Sequence, residues 1–179
     1  MEKEIKVWSQ FDHIVSISED VTRSFLSVFP TLAGKIIEIA NILSPRTVRA
    51  KALASKVDFP IQNGRINLLS VGRFTFAKNF DNVPDICRRI LQEGCEVYWY
   101  IVGYGGDEQL IKEKIKETGM EEHVILLGKR ENPYPFIKAC DIYVQPSRFE
   151  GNAVTVREAQ ILCKPVVAAN YPTAHSQIK

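Results

Sequence analysis

Two glutamates stand out by type and spacing: Glu150 and Glu158, eight residues apart in the segment PSRFEGNAVTVREA (146–159). Glu150 precedes Gly151, and an apolar helical pattern starts at Ala153. Glycine lets a backbone approach a ligand closely. The unpaired amides of Asn152, Ala153, Val154 and Thr155 at the start of that helix would form an anion-binding end. Glu158 falls on the second or third turn, in a helix apolar enough to face a sheet, so its charge needs a partner. A sugar diol, which donates two hydrogen bonds, is one candidate. The plainer alternatives are an acid favoured by the helix dipole for Glu150 and a helix-surface salt bridge for Glu158.

Two further segments carry unusual residues. VGRFTFAKN (71–79) holds Gly72 with two cations, Arg73 and Lys78, five residues apart. Such a pair could clamp adjacent phosphates, Arg as a bidentate fork and Lys as a point charge. On spacing alone, two ordinary surface cations are the better explanation, since one residue in four is charged. IVGYGGD (101–107) is a glycine-rich turn containing Gly103 and Gly105, but Glu108 stands where a dinucleotide fingerprint needs its last glycine. A tight turn or a close backbone approach accounts for these glycines without a cofactor. No Ser/His/Asp or Cys/His arrangement occurs. His123 follows two glutamates in an expected turn and reads as solvated, while His175 would reach the other residues only if the chain end folded back. With three histidines and no HExxH or His/Cys cluster, no metal site is expected.

The elements that must position these residues follow from length and pattern. The chain has 179 residues, is 45% hydrophobic and 25% charged, and carries a net charge of +2. That composition suits a folded chain and excludes a disordered one, and no basic concentration marks a nucleic-acid surface. No apolar run approaches the roughly 20 residues of a membrane-spanning helix, and no secretory signal follows Met1. Cys87, Cys95, Cys140 and Cys163 form no CxxC pair and read as reduced, buried packing residues of a cytosolic protein. From residue 66 onward, apolar strand runs at 66–71, 97–102, 124–127, 142–145 and 166–169 alternate with helical patterns at 82–92, 108–118, 133–139 and 153–163. Such βαβ units predict a doubly wound α/β fold around a parallel sheet covered on both faces. Ligands of such sheets bind beyond the strands' carboxyl ends, where all three segments lie. Upstream, a strand at 12–18, a helix stopped by Pro30, a strand at 36–43 and a connector at 46–64 with a short helix at 48–55 are expected.

Taken in order, SVGRFTFAKNFDN (70–82), WYIVGYGGDEQLI (99–111), the block at 124–170 containing the E-x7-E pair, and YPTAHSQIK (171–179) resemble family 4 retaining glycosyltransferases of the GT-B fold. The resemblance covers most of residues 66–179. It implies that 65–179 is most of a Rossmann-like, nucleotide-sugar-binding C-terminal domain, truncated at its end. Residues 1–45 would be the tail of the acceptor-side domain, and 46–64 the linker. By this resemblance, Arg73 and Lys78 match the pair that neutralises the donor diphosphate, and the amides after Gly151 match the phosphate site at the helix end. Glu158 matches the ribose-binding carboxylate, and Glu150 the catalytic acid beside the transferred sugar. Gly72, Gly103, Gly105, Lys129 and Arg130 match the surroundings of base and sugar. The retaining reaction of such enzymes is a same-face displacement in which the leaving diphosphate helps as base. Preorganised cations and amides would meet the leaving charge without a metal or other cofactor. Asn152 and Ala153 depart from the aromatic residue or second glycine of many relatives, which bears on sugar contacts.

The implied function is the donor-binding part of a sugar transferase that uses a UDP- or GDP-linked sugar. Its acceptor would be a polysaccharide or lipid-linked saccharide, held by a domain this chain lacks, so the chain alone is expected to be inactive. Cytoplasmic placement, compatible with contact at the inner face of a membrane, goes with that reading. Two alternatives remain: a sugar-nucleotide epimerase of the same fold, and a nucleotide-binding module without catalysis.

Overall fold

The structure is a computed structural model that describes residues 2–54, 57, 61, 62 and 64–178. The expected turn residues Asp58, Phe59, Pro60 and Asn63 lie outside the described residues. The chain begins with helix α1 (Glu2–Trp8), followed by strand β1 (Ile14–Ser16) and helix α2 (Glu19–Val28). Ser18 caps α2, accepting from the Val21 amide, with Glu19 and Asp20 in the first turn. Pro30 ends the helix as expected, and a 3-10 segment, Pro30–Lys35, leads into strand β2 (Ile36–Glu38). β2 is shorter than the apolar run at 36–43 because it pairs in parallel only with the three residues of β1. Ile14, Phe29 and Leu32 form a small core there, and Phe25 lies between the rings of Trp8 and Phe29.

Helix α3 (Pro45–Leu53) starts at the Ser44 cap and buries Val48 and Ala52. Then come β3 (Ile66–Arg73), α4 (Val83–Gln92), β4 (Val97–Tyr104), α5 (Glu108–Thr118), β5 (Val124–Gly128), α6 (Tyr134–Ala139), β6 (Ile142–Gln145), α7 (Val154–Ile161), β7 (Val166–Ala168) and α8 (Ala174–Gln177). The strands form one parallel sheet in the order β5-β4-β3-β6-β7. Adjacent strand residues bury on opposite faces: Leu68, Trp99 and Ile101 join Val83, Cys87 and Ile111, whereas Leu69, Tyr100 and Val102 join Ile137, Val156 and Ala159. Coverage of both faces explains why the strands read as apolar runs rather than alternations. α3 adds to the second layer, where Asn132 Nδ2 donates to the Lys51 carbonyl at 2.9 Å.

Some expectations are corrected. Cys87 and Cys140 are buried, and burial pushes their thiols up to about 11 and about 12, but Cys95 and Cys163 are exposed. His123 is not simply solvated: its Nδ1 lies 2.9 Å from the Val97 carbonyl and its ring stacks on Tyr98. α1 and α8 were not expected. No helix among the described residues is long and apolar enough to cross a membrane.

Candidate functional site

The carboxyl ends of β3, β4 and β6 converge, as the fold class requires. β3 runs on through Gly72 and Arg73, so these are paired strand residues facing Gly103 and Tyr104 rather than loop residues. A Cβ on Gly103 would sit 1.9 Å from the Gly72 carbonyl oxygen, and one on Gly105 would sit 2.3 Å from that of Phe74. Close backbone approach therefore accounts for both glycines directly. Gly72, Arg73, Gly103, Tyr104, Lys129 and Arg130 line a depression of about 290 Å³. Lys129 Nζ lies 5.2 Å from the centre of the Tyr104 ring, and the Arg130 guanidinium 5.5 Å from that of Phe136. Three cations thus share one concavity, a setting that favours anions.

Lys78 goes elsewhere. Asn79 adopts φ 61, a left-handed conformation that asparagine tolerates, and its Nδ2 donates to the Pro146 carbonyl at 2.8 Å. The amides of Arg148 and Phe149 both donate to the Ala77 carbonyl. The Arg148 guanidinium forks onto Asp81 at 2.9 and 2.7 Å, donates to the Phe76 carbonyl, and lies 4.2 Å from the centre of the Phe76 ring. That fork holds the Asp81 carboxyl below the usual carboxylate range. Loops 73–79 and 146–150 are thereby fastened together, and Lys78 Nζ reaches Glu150 Oε1 at 2.6 Å.

Glu150 is more elaborately held than its sequence position suggested. The same Oε1 accepts from Gln145 Nε2 at 2.8 Å and Ser147 Oγ at 2.6 Å. Gln145 is 1% exposed, and its Oε1 accepts from the hydroxyls of Tyr143 and Thr155. This network ties Glu150 to β6 and to the first turn of α7. Gln145, Ser147, Tyr143 and the hydroxyl of Thr155 were missed by the sequence reading. The available signal was a glutamine closing an otherwise apolar strand, since a polar group buried there must be satisfied.

Gly151 admits the N-terminal segment: a Cβ would lie 3.3 Å from Ile17 Cδ1 and 3.4 Å from Val21 Cγ2. Ser18 Oγ donates to the Gly151 carbonyl, and Asn152 Nδ2 to that of Ile17. Between α2 and this loop lies a cavity of about 760 Å³ whose walls include Val21, Phe25, Phe149, Glu150 and Pro172. Ala153 is the N-cap residue and Val154 the first residue of α7. The sequence predicts a free Ala153 amide, but that amide donates to Gln177 Oε1 at 3.0 Å. Gln177 Nε2 donates in turn to Asn152 Oδ1 and the Ala153 carbonyl. The chain end does fold back over the loop, through Gln177 and through Thr173, whose hydroxyl donates to the Glu150 carbonyl at 2.8 Å, while His175 is exposed.

Glu158 is 7% exposed and accepts from the Tyr134 hydroxyl at 2.9 Å, which replaces the surface salt bridge offered by the sequence. Burial raises its carboxyl pKa and the Tyr134 bond opposes this, while burial and the Glu158 contact push the Tyr134 hydroxyl up to about 12. A hydroxyl donor satisfies one oxygen of a carboxylate that offers about four acceptor sites, leaving capacity for a diol.

Residues 53–179 match the family model described as glycosyl transferases group 1. The chain is 28% identical over 111 residues to the amylovoran biosynthesis glycosyltransferase AmsD of Erwinia amylovora, covering 62% of this chain and 31% of that protein. It is 25% identical over 166 residues to the O-antigen biosynthesis glycosyltransferase WclY of Escherichia coli, covering 93% and 45%. The chain therefore spans less than half the length of these curated relatives. Among solved structures, Anabaena HepE in complex with UDP and glucose superposes with a TM-score of 0.79 at 19% identity, over 99% of this chain and 50% of that one. The parallel sheet with its two helical layers thus matches part of the GT-B glycosyltransferase fold. By the family match over 53–179, this chain belongs to the glycosyl transferases group 1 family.

Proposed function

We propose that this chain carries the donor-binding half of a retaining glycosyltransferase that takes a hexosyl group from a UDP- or GDP-linked sugar and builds a polysaccharide or lipid-linked saccharide. The observation that carries the proposal is the convergence at one sheet end of Glu150 with Lys78, the start of α7, and buried Glu158. In this reading Arg73, Lys78 and the α7 amides meet the diphosphate, so that no metal is required for donor binding. Glu158 takes the ribose hydroxyls beside Tyr134. The depression at Gly72, Gly103, Lys129 and Arg130 lies near the base, and Glu150 faces the transferred sugar. The Ala153 amide becomes available when Gln177 yields it. The relatives' names favour polysaccharide assembly, and the UDP bound to HepE favours a uridine nucleotide.

Transfer needs donor and acceptor positioned together. Since the chain spans only part of its relatives, it is expected to bind nucleotide without turnover. Titrating the chain calorimetrically with UDP and with GDP tests the assignment. Binding of one, weakened by Arg73→Ala and by Glu158→Gln, is the expected result; failure of both nucleotides to bind removes the donor site.

A further inference from the structure

The two loops that meet at the Lys78–Glu150 pair are held in different ways. Glu150 is supported from the end of its own strand, by Gln145 and Ser147. Lys78 closes a three-residue 3-10 turn, Phe76–Lys78, that buries no residue and leaves through the left-handed Asn79. Few buried contacts mean little intrinsic order, so a turn of this kind takes its place from what it is tied to.

Arg148 is the main tie. Its amide donates to the Ala77 carbonyl at 2.9 Å and its Nη1 to the Phe76 carbonyl at 2.7 Å, while the guanidinium lies 4.2 Å from the centre of the Phe76 ring. The same guanidinium forks onto both oxygens of Asp81, with side-chain exposures of 21% and 19%. Asp81 follows Phe80, which is 1% exposed and meets Phe74 edge to face in the core. A carboxylate seated beside the core is thereby linked to the turn that presents Lys78. That double service uses the several fixed donors of a guanidinium.

We infer that Arg148 is a positioning residue for donor binding, which holds Lys78 where the diphosphate meets it by bridging Asp81 to the Phe76–Lys78 turn. The inference rests on the donor-site reading above and adds to it a pair that acts through Lys78 rather than on the donor. A lysine already in place binds a diphosphate without the cost of ordering its loop at that moment. Glu150 keeps its own supports, so the loss of Arg148 falls on Lys78.

The test titrates the 179-residue chain calorimetrically with UDP and with GDP. Arg148→Met, Asp81→Asn and Lys78→Met are compared with wild type, and the first two are repeated in the Lys78→Met background. For the nucleotide that wild type binds, Arg148→Met and Asp81→Asn should each lower affinity about three- to tenfold, the cost of ordering a long side chain and its turn on binding. In the Lys78→Met background the same substitutions should change affinity by less than about twofold, because the group they position is gone. A merely structural role would act alike in both backgrounds. Asp81→Asn keeps the shape of the side chain and carries the test if thermal melts show Arg148→Met unfolded. Unchanged affinity in Arg148→Met and Asp81→Asn, unchanged affinity in Lys78→Met, or the same loss with and without Lys78 overturns the inference while nucleotide binding by wild type leaves the donor site standing. If wild type binds neither nucleotide, the donor site falls and this inference falls with it.

Discussion

Removing either partner of the Lys78–Glu150 pair should lower stability, but the two removals should move nucleotide binding in opposite directions. The ammonium lies 2.6 Å from Oε1, with side-chain exposures of 23% and 10%. At an effective dielectric of about 20, unit charges at that separation attract by about 6 kcal/mol before desolvation and side-chain ordering are counted. Those costs offset most of it. Exposed pairs retain about 0.2–1 kcal/mol, whereas stripping one partner from a fully buried pair costs about 3–5 kcal/mol. The exposures lie between these limits, nearer the buried one for Glu150. Lys78→Met should therefore destabilise the chain by about 2 kcal/mol, and Glu150→Gln by about 1 kcal/mol, because Lys78 retains a path to water. The double variant should reveal a coupling of about 1–2 kcal/mol. Urea unfolding followed by circular dichroism measures all three. For binding, Glu150 competes with a diphosphate for Lys78. Glu150→Gln should raise UDP affinity about three- to tenfold while Lys78→Met lowers it. A coupling below about 0.3 kcal/mol, or weaker UDP binding by Glu150→Gln, would refute the reasoning.

Two further outcomes follow from the same site. The folded-state pKa of Glu158 is raised, so its stabilising contribution is present below its ordinary value of 4.5 and lost as pH rises through the folded value; urea titrations between pH 4 and 8 should show Glu158→Gln gaining on wild type as pH rises. Cys163 ends α7 with φ 58, and Lys164 N bonds back to the Ala159 carbonyl across the turn, an arrangement that favours glycine. Cys163→Gly should therefore raise stability by about 0.5–1 kcal/mol in thermal melts, the relieved left-handed strain exceeding the entropy that glycine adds to the unfolded chain.

What was legible in the sequence followed from local pattern. β6 and α5 agree with their expected bounds because each is a short apolar or amphipathic stretch closed by strong punctuation, such as Gly119 in the left-handed conformation after α5. Where tertiary pairing decides an element's length, pattern misleads. β2 stops with β1, and β3 extends to Arg73 because Gly103 lets the strands close on each other. α8 is four residues whose place depends on Gln177 reaching the start of α7.

The same division runs through the site. Residue type and order alone determined the parallel α/β layering, and the ordered motifs, by their family resemblance, marked Arg73, Lys78, Glu150 and Glu158 as the groups worth placing. Only the tertiary structure decided their company: Lys78 on Glu150 across 72 positions of chain, Tyr134 on Glu158, Gln145 and Ser147 under Glu150, and Arg73 apart with Lys129 and Arg130. Local periodicity reports which face of an element is buried. Hydrogen-bond partners are set by how neighbouring strand ends and loops converge, and that convergence is a property of the folded sheet.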